Sequence, residues 1–140
     1  MNALVDTSVW SLALRRNPEN LNAAEQVVVR ELADIARDGR ARMIGLIRQE
    51  LLSGIKSAAQ YEKLRSALHA FPDEMIDRSD HEAAAKASNA CRSRGVIAST
   101  VDALICQIAL SREWTIFSTD PNFQNYARVL PIKLHTPRDR

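Results

Sequence analysis

The chain has 140 residues, enough for one domain that buries about two-thirds of its unfolded surface. With 46% hydrophobic and 26% charged residues it reads as a water-soluble globular protein, and no apolar run nears the ~18 residues of a membrane span. A net charge of +2 falls short of a dedicated nucleic-acid binder, yet 15 of its 19 basic residues are Arg, whose planar fork grips phosphate. A GC-rich genome would favour Arg equally. The start, Met1-Asn2-Ala3-Leu4-Val5-Asp6, lacks the basic region of a secretory signal. Cys91 and Cys106 fall in helical patterns and read as core thiols of a reducing compartment, so a cytoplasmic location is expected. His69, His81 and His135 have no zinc-ligand spacing.

Residues 2–5 read as a short buried strand. Residues 7–15 carry Val9, Trp10, Leu12 and Leu14, compatible with a helix that Asn17-Pro18-Glu19-Asn20 breaks. A second helix is expected over 22–37, ended by Asp38-Gly39, and Met43-Ile44 suggests a second strand. Ile47, Glu50 and Leu51 lie on a third helix with Gly54 at its end, and residues 58–68 form a fourth. Ser79-Asp80-His81-Glu82 begins an alanine-rich helix to Arg94, which Gly95 stops. Ser99 opens the next helix, through Ala109. A strand is expected over 114–118, a short helix from Asp120-Pro121 to Tyr126, and a last strand at Ile132-Lys133-Leu134. One domain over 1–136 is followed by a short polar tail, 137–140, expected to fray. Short strands alternating with helices argue for an α/β fold with a short, mostly parallel central sheet flanked by helices.

In such sheets, ligands bind beyond the carboxyl ends of the strands, where strand order reverses. Asp6 and Asp120 both stand at such ends, and making their strands neighbours would bring the two acids together. Glu50 and Asp102 lie on predicted helices. Two carboxylates about 5 Å apart, at an effective dielectric of about 20, repel by about 3 kcal/mol. A cluster of this kind is relieved by shifted pKa values or by a hard cation, Mg²⁺ or Mn²⁺, whose usual work is phosphoryl chemistry. Each acid also has a plain structural reading. Asp6 and Asp120 could cap the helices that follow them, Asp102 stands at capping-box spacing from Ser99, and Glu50 could simply face water.

Four segments change the weight of those readings. They are Asp6-Thr7-Ser8-Val9-Trp10, Glu50-Leu51-Leu52-Ser53-Gly54, Asp102-Ala103-Leu104-Ile105, and the stretch from Trp114 through Asp120 to Phe123. In order and separation, over residues 2–134, they resemble the PIN-domain family, in particular the VapC-type toxins of bacterial toxin–antitoxin pairs. The resemblance implies a three-layer PIN-like fold and a ribonuclease dependent on Mg²⁺ or Mn²⁺. It places Asp6, Glu50, Asp102 and Asp120 as metal-holding catalytic acids, supported by Thr7, Ser8, Ser118 and Asn122. Many relatives have an Asp where this chain has Asn122, which keeps an oxygen and loses a charge. A homodimer and a small antitoxin that covers the acidic groove are implied as well, with RNA as substrate. Arg15, Arg16 and Arg48, close in sequence to the acids, are candidates to hold flanking phosphates, against the plain reading of solvated surface. Trp10 could stack a base or pack in the core.

Two other classes fit parts of the pattern. An aspartyl-phosphate phosphotransfer domain also uses acids at strand ends with Mg²⁺, but Thr7 and Ser8 follow Asp6 where such sites want a second acid. A PIN-like module that only binds RNA or protein usually lacks some of the acids, and all four are present.

Overall fold

A computed structural model describes residues 1–138 of the chain. Three strands, β1 (Ala3–Val5), β2 (Ala41–Arg42) and β3 (Thr115–Phe117), form one parallel sheet in the order β2-β1-β3. All of β1 is buried, which explains its unbroken Ala-Leu-Val: a central parallel strand has no wet face. The chain passes from β1 to β2 through α1 (Thr7–Leu14), a 3-10 turn (Pro18–Asn20) and α2 (Ala23–Arg37). It then reaches the other side of β1 through α3 (Gly45–Leu52), α4 (Ala58–Leu68), α5 (Arg78–Ser93) and α6 (Thr100–Arg112). After β3 comes α7 (Asn122–Tyr126). Strand order therefore reverses between β1 and β3, which puts the switch point beyond Val5 and Phe117. No helix among the described residues is long and apolar enough to cross a membrane.

Local chemistry sets the helix ends. Asn22 and Glu25 form a reciprocal capping box on α2, and Asp77 and Asp80 form one on α5. Ser99 caps α6 by accepting the Asp102 N–H at 3.1 Å. Helix α6 buries Ala103, Leu104, Ile105, Cys106, Ile108 and Ala109, the pattern of a helix enclosed by its neighbours. It is pinned by Arg112, whose guanidinium donates to Asp80 (2.6 Å), Glu74 (2.9 Å) and the Met75 carbonyl (2.8 Å). That fork holds the Asp80 carboxyl down at about 2.

Several expectations shift. The second strand is Ala41–Arg42; Met43 makes only a bridge to Asp73, and Ile44 is already the N-cap of α3, so this apolar pair is core at a helix start. The strand expected at Ile132-Lys133-Leu134 is a single bridge, Ile116 to Leu134, anchored by Ile116 N–H to Lys133 and His135 N–H to Ile116, both at 2.8 Å. Pro131 has no N–H to extend the ladder. Helix α6 runs three residues beyond Ala109, to Arg112, and ends on Glu113 in the left-handed region (φ 59°). In the tail, Arg138 donates to Glu31 (3.2 Å) and Asp34 (2.9 Å). Glu31 is 1% exposed and also pairs with His135 at 2.7 Å. Asp139 and Arg140 lie outside the described residues.

Candidate active site

Asp6 is the first residue past β1, and its N–H continues the ladder to the Phe117 carbonyl at 2.9 Å. It occupies the N-cap position of α1 but makes no side-chain cap bond, so the capping reading fails. Its carboxylate turns toward the chain leaving β3. One oxygen, Oδ2, accepts the Ser8 hydroxyl at 3.0 Å and the Ser118 hydroxyl at 2.7 Å. Each serine spends its proton on Asp6 and uses a lone pair for a backbone N–H: Ser118 for Asp120, Ser8 for Thr119, both at 3.0 Å. The two serines thereby staple the β1–α1 corner to the β3–α7 loop.

Asp120 carries part of its structural reading. Its Oδ1 accepts the Asn122 N–H at 2.9 Å and so shapes the turn into α7, while Pro121 occupies the N-cap position. Asn122 enters through its backbone. Asp102 sits in the first turn of α6, and its Oδ2 accepts the Tyr126 hydroxyl at 2.7 Å. Burial raises the Asp102 pKa; the Tyr126 and Ser99 hydrogen bonds oppose that rise, and the charges of Asp6 and Asp120 add to it. The fold thus brings three acids from separate elements within electrostatic reach of one another. Glu50, exposed on α3, is tied to them through Thr7, whose hydroxyl donates to Glu50 Oε1 at 3.0 Å.

Tyr126 was not anticipated from sequence. The available signal was a buried phenol on α7, three residues after Phe123, whose ring it meets edge-on at 5.3 Å. A phenol 2% exposed needs a partner, and an acid 24 residues away in the chain supplies it. Burial, then the bond to Asp102, raises the Tyr126 pKa, so the hydroxyl keeps its proton.

Among the described residues, no group of three or more His, Cys, Asp or Glu side chains is arranged to hold a metal ion. The reason is visible in the bonds above: each carboxylate is turned to its own donor, Asp6 to two serines, Glu50 to Thr7, Asp102 to Tyr126 and Asp120 to Asn122. The donor chemistry fits a hard divalent cation nonetheless. The candidate donor atoms are all carboxylate oxygens, and like charges placed near Asp102 are what such an ion relieves.

The candidate arginines divide. Arg48 is engaged by the fold: its guanidinium donates to Asp73 (3.0 Å) and to the carbonyls of Leu68 (3.1 Å) and Phe71, closing the end of α4. Arg16 faces Glu25 at 3.7 Å beside a groove that Ser8 and Thr119 also line. Arg15 makes no ion pair among the described residues and lines a separate cleft. Trp10 is core: it is 2% exposed, donates Nε1–H to the Val5 carbonyl at 3.0 Å and packs on Phe71 at 4.8 Å.

Comparison with known proteins adds the lineage. Solved structures similar to this one include FitAcB from Neisseria gonorrhoeae (20% identity, TM-score 0.74, covering 96% of this chain and 97% of that one). VapBC2 from Rickettsia felis, bound to a promoter DNA fragment, is similar at 13% identity and TM-score 0.70, with 96% and 98% covered. A toxin–antitoxin complex from Klebsiella pneumoniae is similar at 19% identity and TM-score 0.62, with 99% and 100% covered. At these identities the likeness is one of fold. No curated protein matches the sequence. The model of the PIN domain matches residues 3–129. The chain belongs to the PIN domain family.

Proposed function

We propose that this protein is a divalent-metal-dependent endoribonuclease, the toxin of a toxin–antitoxin pair, and that Asp6, Glu50, Asp102 and Asp120 are its catalytic acids. The observation that carries the reading is geometric: at the point where strand order reverses, Ser8 and Ser118 bind the Asp6 carboxylate and join it to the loop that bears Asp120, and Tyr126 of the helix after that loop binds Asp102. Family membership and the likeness to FitAcB, VapBC2 and the Klebsiella complex support it.

The four acids are the residues that would hold Mg²⁺ or Mn²⁺. Such an ion supplies Lewis-acid stabilisation of charge on the phosphoryl oxygens and lowers the pKa of water. The protein's own groups prepare the place. Ser8 and Ser118 fix the Asp6 carboxylate, and Tyr126 orients Asp102. Thr7 holds Glu50 at the rim. Asp120 keeps one oxygen free of the Asn122 turn; that oxygen would orient the attacking water and take its proton as the new bond to phosphorus forms, the phosphorus–oxygen bond to the leaving nucleotide breaks, and a proton from solvent goes to the leaving oxygen. The product is a hydrolysed phosphodiester with no covalent enzyme adduct. In this reading a small antitoxin covers the acidic groove, and the toxin is a homodimer.

The test is cleavage of structured and unstructured RNA by purified protein in Mg²⁺, in Mn²⁺ and in chelator, with Asp6→Asn alongside. Chelator-sensitive cleavage that Asp6→Asn abolishes is expected. Cleavage that survives in the variant assigns the activity elsewhere.

A further inference from the structure

A cleft of about 520 Å³ lies apart from the acids, between the end of α1, the α3–α4 loop and α4. Its wall carries three cations, Arg15, Lys56 and Lys63, and no acid. None of the three makes an ion pair among the described residues. The acid adjacent to Lys63 in sequence, Glu62, is taken up by Arg65 at 3.0 Å. Leu14, Ile55 and Leu64 supply an apolar floor, and Leu14 is 39% exposed.

The position matters as much as the charge. Leu14 ends the helix that Thr7 opens, so at 1.5 Å per residue the cleft begins about 12 Å along α1 from the acids. Ile55 and Lys56 follow α3, little more than one turn beyond Glu50, and α1 packs on α3. A chain lying across the acids and continuing along the α1–α3 contact runs into the three cations.

We propose that this cleft binds the sugar–phosphate backbone of single-stranded RNA flanking the bond that is cut. Three unpaired cations beside an apolar floor of Leu14, Ile55 and Leu64 complement a flexible polyanion whose bases also offer apolar faces. The assignment rests on the ribonuclease reading for its substrate, but it is tested without cleavage.

The experiment is fluorescence anisotropy with a labelled single-stranded RNA dodecamer of mixed sequence, in chelator, across a salt series. The proteins are wild type, Arg15→Gln/Lys56→Gln/Lys63→Gln, and Asp102→Asn. For single strands each phosphate contact contributes about −0.7 to the slope of log affinity against log salt. The triple variant is therefore expected to bind about 100-fold more weakly at 0.1 M salt and to lose about 2 from the slope. Asp102→Asn is expected to bind at least as well as wild type. Thermal melts of all three proteins verify that the chain is folded, and the conservative Lys56→Arg/Lys63→Arg variant is expected to restore binding. An unchanged affinity and slope in the folded triple variant overturns the proposal. So does an acidic decapeptide of Glu that competes with RNA at equal concentration, because the cleft then belongs to a protein partner. If wild type cleaves no RNA yet loses RNA binding in the triple variant, the acids have been misread and the cleft stands.

Discussion

In metal-free protein, Asp102→Asn is expected to raise the melting temperature by about 3 °C. The carboxylate is disfavoured by burial and by the charges of Asp6 and Asp120. Two such charges about 6 Å apart at an effective dielectric of about 20 repel by about 3 kcal/mol. The site is partly open to water and salt, which leaves on the order of 2 kcal/mol. Two losses oppose this gain. The Tyr126 hydrogen bond ceases to be charge-assisted, which costs about 0.5 kcal/mol, and an acid is lost from the first turn of α6, which costs about 0.5 kcal/mol. The Ser99 cap is untouched, because it uses the Asp102 backbone N–H. About 1 kcal/mol of net stabilisation remains, which for a chain of this length moves the midpoint by about 3 °C.

The assay is thermal unfolding in chelator and then in Mn²⁺. At free Mn²⁺ about 100 times its dissociation constant, the wild type gains about 2.7 kcal/mol by mass action. The variant, lacking one ligand charge, gains much less, so the order of stability reverses on adding metal. A clear fall of the variant in chelator refutes the repulsion argument. An equal Mn²⁺ gain in both proteins refutes Asp102 as a ligand.

Tyr126→Phe is expected to cost about 1 kcal/mol in chelator and to couple with Asp102→Asn by a similar amount in a double-mutant cycle; additive effects would show that the phenol and the acid do not act on each other. Asp80, held at about 2 by Arg112, stabilises the fold fully above about pH 4, and that contribution is lost as pH falls toward 2. The loss is about 2 kcal/mol, and urea unfolding across this range should lose that slope in Arg112→Met; an unaltered slope removes Arg112 as the cause. Arg48→Ala should lower stability by about 2 kcal/mol through its lost carbonyl and Asp73 bonds while RNA affinity in chelator stays the same. Weaker RNA binding at unchanged stability would return Arg48 to the phosphate-binding set.

What the sequence made legible were features whose cause is local or topological. Helix α4 has the bounds its sequence suggests, Ala58 and Leu68, and the cause is local: Ser57 caps it through the Gln60 N–H. Asp6 and the loop bearing Asp120 meet because an apolar run ending in an acid, in a parallel α/β chain, leaves little choice of place. What the sequence left illegible shares the opposite property. Arg48 stands next to an acid motif in sequence, but its partners are 20 to 25 residues away, and nothing local announces them. The bond from Tyr126 to Asp102 spans 24 residues, and the pairing of Arg138 with Glu31 spans 107. The predicted strand at 132–134 had the right composition and too little ladder to pair with.

The kind of donor chosen for each acid is itself informative. Gathered carboxylates in a metal-free fold can be held either by cations or by neutral donors. This chain uses hydroxyls for Asp6, Glu50 and Asp102 and a backbone N–H for Asp120. Among the described residues, none of the four forms an ion pair with Lys or Arg, although the chain has 19 such residues. A structural cluster would be more stable with an arginine in its centre, as Asp80 and Glu74 are with Arg112. Neutral donors fix the oxygens in place and leave the negative charge uncancelled, at a cost to stability that only an incoming cation recovers. The uncancelled positive charge lies one helix length away, in the cleft of Arg15, Lys56 and Lys63. Keeping the two apart is costly for a fold, and it is the separation that the proposed ribonuclease would use, with a metal at one place and a polyanion across both.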